Sequence, residues 1–166
     1  MSTDVPIRIL LETNAGKITI ELRSDKPITS GNFKRLVADG QYDNNVFYRV
    51  VAGFMIQGGR INENIPTIPD EIGKNNHNLP YTVAMAKTSM PNSATSEFFI
   101  NVADNSQIVY PDGTAFDATY TVFAKVVEGK AVVDAIAKGK VKASPGTGER
   151  SFPVDPVRII KASIVP

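Results

Sequence analysis

Residues 46–59 read VFYRVVAGFMIQGG: two runs of aromatic and β-branched residues, 46–51 and 54–57, parted by Ala52-Gly53 and ended by Gly58-Gly59. That composition favours strands, and small or Gly residues at those two points mark a break and a stop. Towards the N-terminus, residues 25–40 (DKPITSGNFKRLVADG) change period. Pro27 suits a first helical turn, Phe33, Leu36 and Val37 share one helical face, and Gly40 suits the C-terminal cap, so a helix is predicted there. Before it, Ile7, Ile9 and Leu11, then Ile18, Ile20 and Leu22, alternate with their neighbours on either side of the turn signal Asn14-Ala15-Gly16. Strand side chains repeat every two residues, so this is a hairpin with one buried face.

Towards the C-terminus, residues 60–80 are rich in Asn and Pro and read as a long surface loop. Strands are predicted over 81–86, 97–102 and 120–127, with loops over 87–96 and 103–119 between them. Residues 129–139 (GKAVVDAIAKG) form a second short helix, residues 144–148 (SPGTG) a loop, and residues 157–165 (VRIIKASIV) a last strand. The sum is eight strands and two helices, with no internal repeat and no linker, hence a single domain over residues 1–166. Eight mostly antiparallel strands can close into a barrel filled by its own side chains. The pattern alone gives a mainly β protein with two helices and does not choose barrel over sandwich.

The composition excludes several kinds of chemistry. With 166 residues and 42% hydrophobic content the chain can bury a core. It has no cysteine and one histidine, His77, so thiolate catalysis and disulfides are out, and a zinc site would lack ligands. A Ser–His hydrolase would have to use His77, which is read as a solvated loop residue. No metal and no cofactor are expected. Lys and Arg total 18 against 17 Asp and Glu, a net charge of +1 with no basic run, so neither nucleic acid nor an anionic membrane is an expected partner. No segment approaches the roughly 18 apolar residues of a membrane span. Residues 1–6 (MSTDVP) do not resemble an export signal, so a cytoplasmic location is expected, or a periplasmic one if a signal has been removed.

Three blocks in order carry a resemblance. The stretch 47–59 resembles the cyclophilin signature; Ala84-Met85-Ala86 with residues 93–101 (SATSEFFIN) is similar to the other half of that family's active site; residues 122–129 (VFAKVVEG) resemble the strand and turn that follow. The likeness spans nearly the whole chain and is to single-domain cyclophilins of bacterial or archaeal type. It implies a closed eight-stranded antiparallel β-barrel capped by two α-helices, with the substrate groove on its outer face. It implies peptidyl-prolyl cis/trans isomerase activity, a monomer and proline-containing polypeptide substrates. Position by position, Arg49 matches the catalytic arginine and Gln57 the glutamine that orients it. Phe54, Met55 and Phe99 match the proline pocket, and Ile108 and Tyr120 its rim. Ala86, Lys87 and Thr88 match the backbone segment that pairs with the substrate, followed by a loop with one extra residue, as in bacterial members.

The chemistry suits a chain without nucleophile or metal. Rotation about X–Pro meets a barrier of about 18–20 kcal/mol, set by the amide's partial double bond, and breaks no bond. The twisted state localises a lone pair on the prolyl nitrogen, and a rigid, permanently charged guanidinium beside an apolar, water-excluding pocket favours it. Three departures from the family pattern stand out. Tyr48 replaces a histidine and is expected to support the fold. Glu97 replaces a glutamine near the groove and is expected to lower turnover by competing for Arg49. Gln107 stands at the position of a tryptophan found in cyclosporin-binding members, and the chain has no tryptophan, so cyclosporin should bind weakly. The alternative reading is a proline-recognising peptide-binding chaperone module with little catalysis.

Overall fold

The computed structural model describes residues 6–61 and 64–166. The reading of residues 1–5 as lacking an export signal, and two positions of the long loop, 62 and 63, lie outside the described residues. In chain order, β1 (Arg8–Thr13) and β2 (Gly16–Leu22) form the first hairpin, followed by α1 (Pro27–Ala38), β3 (Asn45–Val46), β4 (Arg49–Val51) and β5 (Met55–Gly58). After the long loop come β6 (Thr82–Met85), β7 (Phe98–Asn101) and β8 (Val122–Glu128), then α2 (Lys130–Ala137), β9 (Val141–Ala143), β10 (Arg150–Pro153) and β11 (Arg158–Val165).

Nine of the strands make one sheet in the order β3-β11-β1-β2-β8-β6-β7-β5-β4, each described pairing antiparallel. The first and last strands of that order are separated in the chain by only Phe47 and Tyr48. The sheet therefore curls so that its two end strands follow one another in the chain, but no ladder joins them among the described residues, and the expected closed barrel is corrected to a curled, incompletely closed one. The mainly β class with two helices stands. The count of eight is corrected to nine in this sheet, because the run predicted over 46–51 changes partner. Its start pairs with β11, a ladder that the N–H of Phe47 continues to the carbonyl of Val157, and Arg49–Val51 pairs with β5. A separate hairpin, β9 with β10, was not expected: β9 is three residues, half-buried or exposed, and carries no alternation.

The main core collects alternate residues from the sheet's inner face, among them Ile9, Leu11, Ile18, Ile20, Ile56, Val83, Phe98, Ile100 and Ile159. α1 adds Phe33, Leu36 and Val37, and α2 adds Val133 and Ile136. Phe33 centres an aromatic cluster, with ring centroids 4.9 Å from Tyr42, 5.4 Å from Phe98 and 5.1 Å from Phe123. α1 has no side-chain cap of its own; the carboxylate of Glu71 accepts from the N–H of Ile28 and Thr29, so the long loop closes the helix's open end. Buried Lys26 donates its ammonium to the carbonyls of Glu71 and Ile72, pinning the same loop. α2 starts at Gly129 with φ 92°, where a Cβ would lie 2.3 Å from the carbonyl oxygen of Lys17, so only glycine fits between helix and hairpin.

Candidate active site

Sheet register assembles the site. Arg49 on β4 pairs with Gln57 on β5, Gln57 with Phe99 on β7, and Phe99 with Ala84 on β6. These residues form one row across four adjacent strands, which lie roughly 5 Å apart. Their neighbours Ile56, Ile100 and Val83 point the other way, into the core. The row therefore lies on the sheet's outer face, and a slip of one residue would turn it inward. The same alternation separates Phe98, fully buried in the main core, from Phe99, which joins Met55, Ala84, Phe116 and Val122 in a second cluster.

Around the row is a cavity of about 240 Å³ lined by Arg49, Phe54, Met55, Gln57, Ala86, Lys87, Phe99, Tyr110, Phe116 and Tyr120. Phe116 organises its apolar wall, meeting Phe54 and Phe99 edge-on at 5.9 and 5.8 Å and Tyr120 at 4.7 Å. Such offset and edge contacts between rings are the favoured ones. The hydroxyls of Tyr110 and Tyr120 lie 2.8 Å apart on the rim. Beneath Phe54, buried Asn105 donates 2.9 Å to its carbonyl and 2.8 Å to Asn101, which is itself bonded to Asn78 and Thr82. This buried amide network fixes the turn that presents Phe54, because its groups would be costly to leave unpaired.

The polar end of the cavity is a relay of side chains. Arg49 donates from Nη1 to Gln57 Oε1 at 3.1 Å, and Gln57 donates from Nε2 to the Tyr48 hydroxyl at 2.8 Å and to Glu97 Oε1 at 3.3 Å. The Tyr48 hydroxyl donates to the same Glu97 oxygen, and the Arg60 guanidinium lies 4.2 Å above the Tyr48 ring. Burial, reinforced by the Glu97 carboxylate, raises the Tyr48 pKa, so the hydroxyl keeps its proton and remains a donor. Tyr48 thus has a place in the polar network beyond supporting the fold.

The expectation that Glu97 competes for Arg49 is corrected. The carboxylate on Arg49 belongs to Glu149, which accepts from Nε at 2.8 Å and Nη2 at 3.0 Å. Glu97, an acceptor only, faces the amide side of Gln57 and thereby turns the Gln57 carbonyl oxygen towards Arg49. The bond to Glu149 raises the Arg49 pKa, and the same bond lowers that of Glu149 to about 2. A carboxyl depressed in the folded state lends its stability above its ordinary value near 4.5 and loses it as the pH falls through about 2, so this pair persists throughout the neutral and mildly acidic range.

The remaining expected positions divide. Ala86 and Lys87 line the cavity, with the Lys87 ammonium bonded to Asp70 at 2.8 Å, whereas Thr88 is exposed outside it and its hydroxyl accepts from the N–H of Met90. Ile108 packs against the Phe99 cluster without lining the cavity, and Gln107 is exposed outside it. Tyr110, Phe116 and Glu149 are the site residues that sequence reasoning missed. Two lie within the turn-rich span 103–119, where the aromatic spacing of Tyr110, Phe116 and Tyr120 was the available signal; nothing local marks Glu149. His77 is mostly exposed, with Nδ1 3.1 Å from Asp117, and no hydroxyl is bonded to it among the described residues. No cluster of metal-ligating side chains is found among the described residues. A larger cleft of about 690 Å³ lies between β2 and α1, away from the row; its Arg23 is paired with Asp25 and its Lys125 with Glu21.

The family model for cyclophilin type peptidyl-prolyl cis-trans isomerases/CLD matches residues 8–164. The chain belongs to the cyclophilin family. It is 43% identical over 162 residues to "Peptidyl-prolyl cis-trans isomerase cyp18" of Streptomyces antibioticus, covering 93% of this chain and 96% of that protein. It is 42% identical over 161 residues to "Peptidyl-prolyl cis-trans isomerase" of Acinetobacter baylyi, covering 93% and 83%. A crystal structure of a Cryptosporidium parvum cyclophilin type peptidyl-prolyl cis-trans isomerase superposes with a TM-score of 0.80 at 23% identity, over 98% of this chain and 99% of that one. A second structure of that protein was determined in the presence of the dipeptide Ala-Pro and gives a TM-score of 0.77. Both likenesses speak to the fold. Within this cyclophilin the cavity and the relay behind it meet at Arg49 and Gln57.

Proposed function

We propose that this cyclophilin catalyses cis/trans rotation about X–Pro peptide bonds in polypeptide substrates, with Arg49 as the catalytic residue. One observation carries the assignment to this site: register sets a guanidinium, the amide that orients it and an aromatic pocket side by side on one outward face. In this reading the proline ring occupies the space between Phe54, Met55, Phe99 and Phe116, while the preceding residue rotates outside. Arg49 donates to the prolyl nitrogen as its lone pair localises, an interaction stronger in the twisted state than in either planar one. The apolar walls exclude water and so strengthen that donation. Gln57 holds the fork without titrating, and Ala86 with Lys87 offers backbone to the substrate at the opposite wall. No proton is transferred and no bond is cut, which is why the site can do without a nucleophile.

A cavity of this size and its open rim fit the proline ring with its neighbouring backbone, so recognition centres on proline and tolerates varied flanking residues. Cyclosporin is read as a weak ligand, because exposed Gln107 supplies neither the area nor the indole N–H of a tryptophan. Titration of isomerase activity with cyclosporin checks this: micromolar or weaker inhibition is expected, and nanomolar inhibition contradicts it. The test of the main reading is a protease-coupled isomerisation assay on the wild type and Arg49→Ala.

A further inference from the structure

Among the described residues Glu149 is the one charged side chain bonded to Arg49, and it comes from an element with no part in the cavity's walls. Its two oxygens take the Nε and Nη2 edge of the guanidinium while Gln57 takes Nη1. Three of the five N–H groups are thus used, leaving one on each terminal nitrogen for a substrate. The backbone that carries this carboxylate is itself held. The Glu149 carbonyl accepts from the N–H of Ser144 at 2.7 Å and of Ser151 at 2.9 Å, and its own N–H donates to the Thr147 hydroxyl at 3.2 Å. The turn that carries it is closed by β9 and β10, and β10 packs alongside β4, the strand of Arg49.

Building on the isomerase reading, we propose that Glu149 is a positioning residue that fixes the Arg49 guanidinium in its working orientation, so that the β9–β10 hairpin is part of the catalytic apparatus. An arginine with a side chain about one-third exposed has several rotatable bonds to order. Gln57 alone, with one contact, leaves the plane of the fork free to swing about that bond. A bidentate carboxylate fixes the plane as well as the position. Preorganised donors favour a transition state because they need no reordering at the moment of reaction. The neighbouring acid thus acts through the arginine and does not touch the substrate.

The test compares wild type, Glu149→Gln and Glu149→Ala by kcat/KM in the isomerisation assay, by the NMR signal of the Arg49 Nε–H, and by thermal unfolding. The expected order is wild type, then Gln, then Ala. Glu149→Ala should fall by roughly tenfold, the order expected when one long side chain must be ordered anew. Glu149→Gln keeps one acceptor and should lie between. The Nε–H signal should be sharp in the wild type and exchange-broadened in Glu149→Ala, while all three proteins unfold within a few degrees of one another. An active wild type with Glu149→Ala equally active, or more active, overturns the positioning role and leaves the isomerase reading intact. A wild type without activity overturns the isomerase reading, and the positioning role with it.

Discussion

Replacing Glu97 with Gln asks what a carboxylate behind the site does. It accepts from Gln57 Nε2 at 3.3 Å and from the Tyr48 hydroxyl, and both contacts hold the Gln57 amide with its oxygen towards Arg49. A hydrogen bond to a charged acceptor contributes about 1.5–3 kcal/mol and one between neutral groups about 0.5–1.5 kcal/mol. The substitution therefore removes on the order of 1 kcal/mol of preference for the productive amide orientation, or about fivefold in that ratio. A flipped Gln57 would set its NH2 against the Nη1 donors of Arg49, so much of the correct orientation survives. The expected result is a fall in kcat/KM of up to about fivefold in a protease-coupled assay with a short proline peptide. A rise would instead mean that Glu97 competes for Arg49 and does not orient Gln57.

Phe116→Ala removes the ring that Phe54, Phe99 and Tyr120 pack against; it should lower stability by about 3–5 kcal/mol in urea unfolding and raise KM more than it lowers kcat. A KM equal to that of the wild type would show that the pocket wall does not need this ring. Gly129→Ala should lower the thermal midpoint clearly, since φ 92° and the Lys17 carbonyl both exclude a Cβ, at a cost above about 1 kcal/mol. Below its melting temperature its kcat/KM should match the wild type, because α2 lies outside the cavity.

Much of the fold was readable because strand period and burial agree. Ile18, Ile20 and Leu22 alternate without exception, and the structure buries all three. The outer row is a different matter. Phe98, Phe99 and Ile100 are all apolar, so pattern could not tell which ring faces the groove; that depends on register with Gln57 and Ala84, a property of neighbouring strands. Resemblance pointed to Phe99, and the ladder places it on the face of Arg49. Val46 to Val51 looked like one strand because local composition does not record that the segment changes partner, from β11 up to Phe47 to β5 from Arg49 onward. Glu97 looked like the arginine's partner because it replaces a glutamine of the family pattern on a strand expected near the groove. The actual partner lies 100 positions along the chain from Arg49, in a short loop without periodicity, and only the docking of β10 beside β4 brings it there.

In the proposed mechanism the Arg49 guanidinium, held against the aromatic pocket, lowers the barrier to prolyl rotation. The most direct measurement is the rate of cis-to-trans conversion of a proline peptide with wild type and with Arg49→Ala, at equal concentrations of folded protein. Clear acceleration by the wild type is expected, with a loss on the order of a hundredfold in kcat/KM for the variant, the scale of one preorganised donor. Equal rates for the two proteins, whether both fast or both indistinguishable from the uncatalysed reaction, would contradict it.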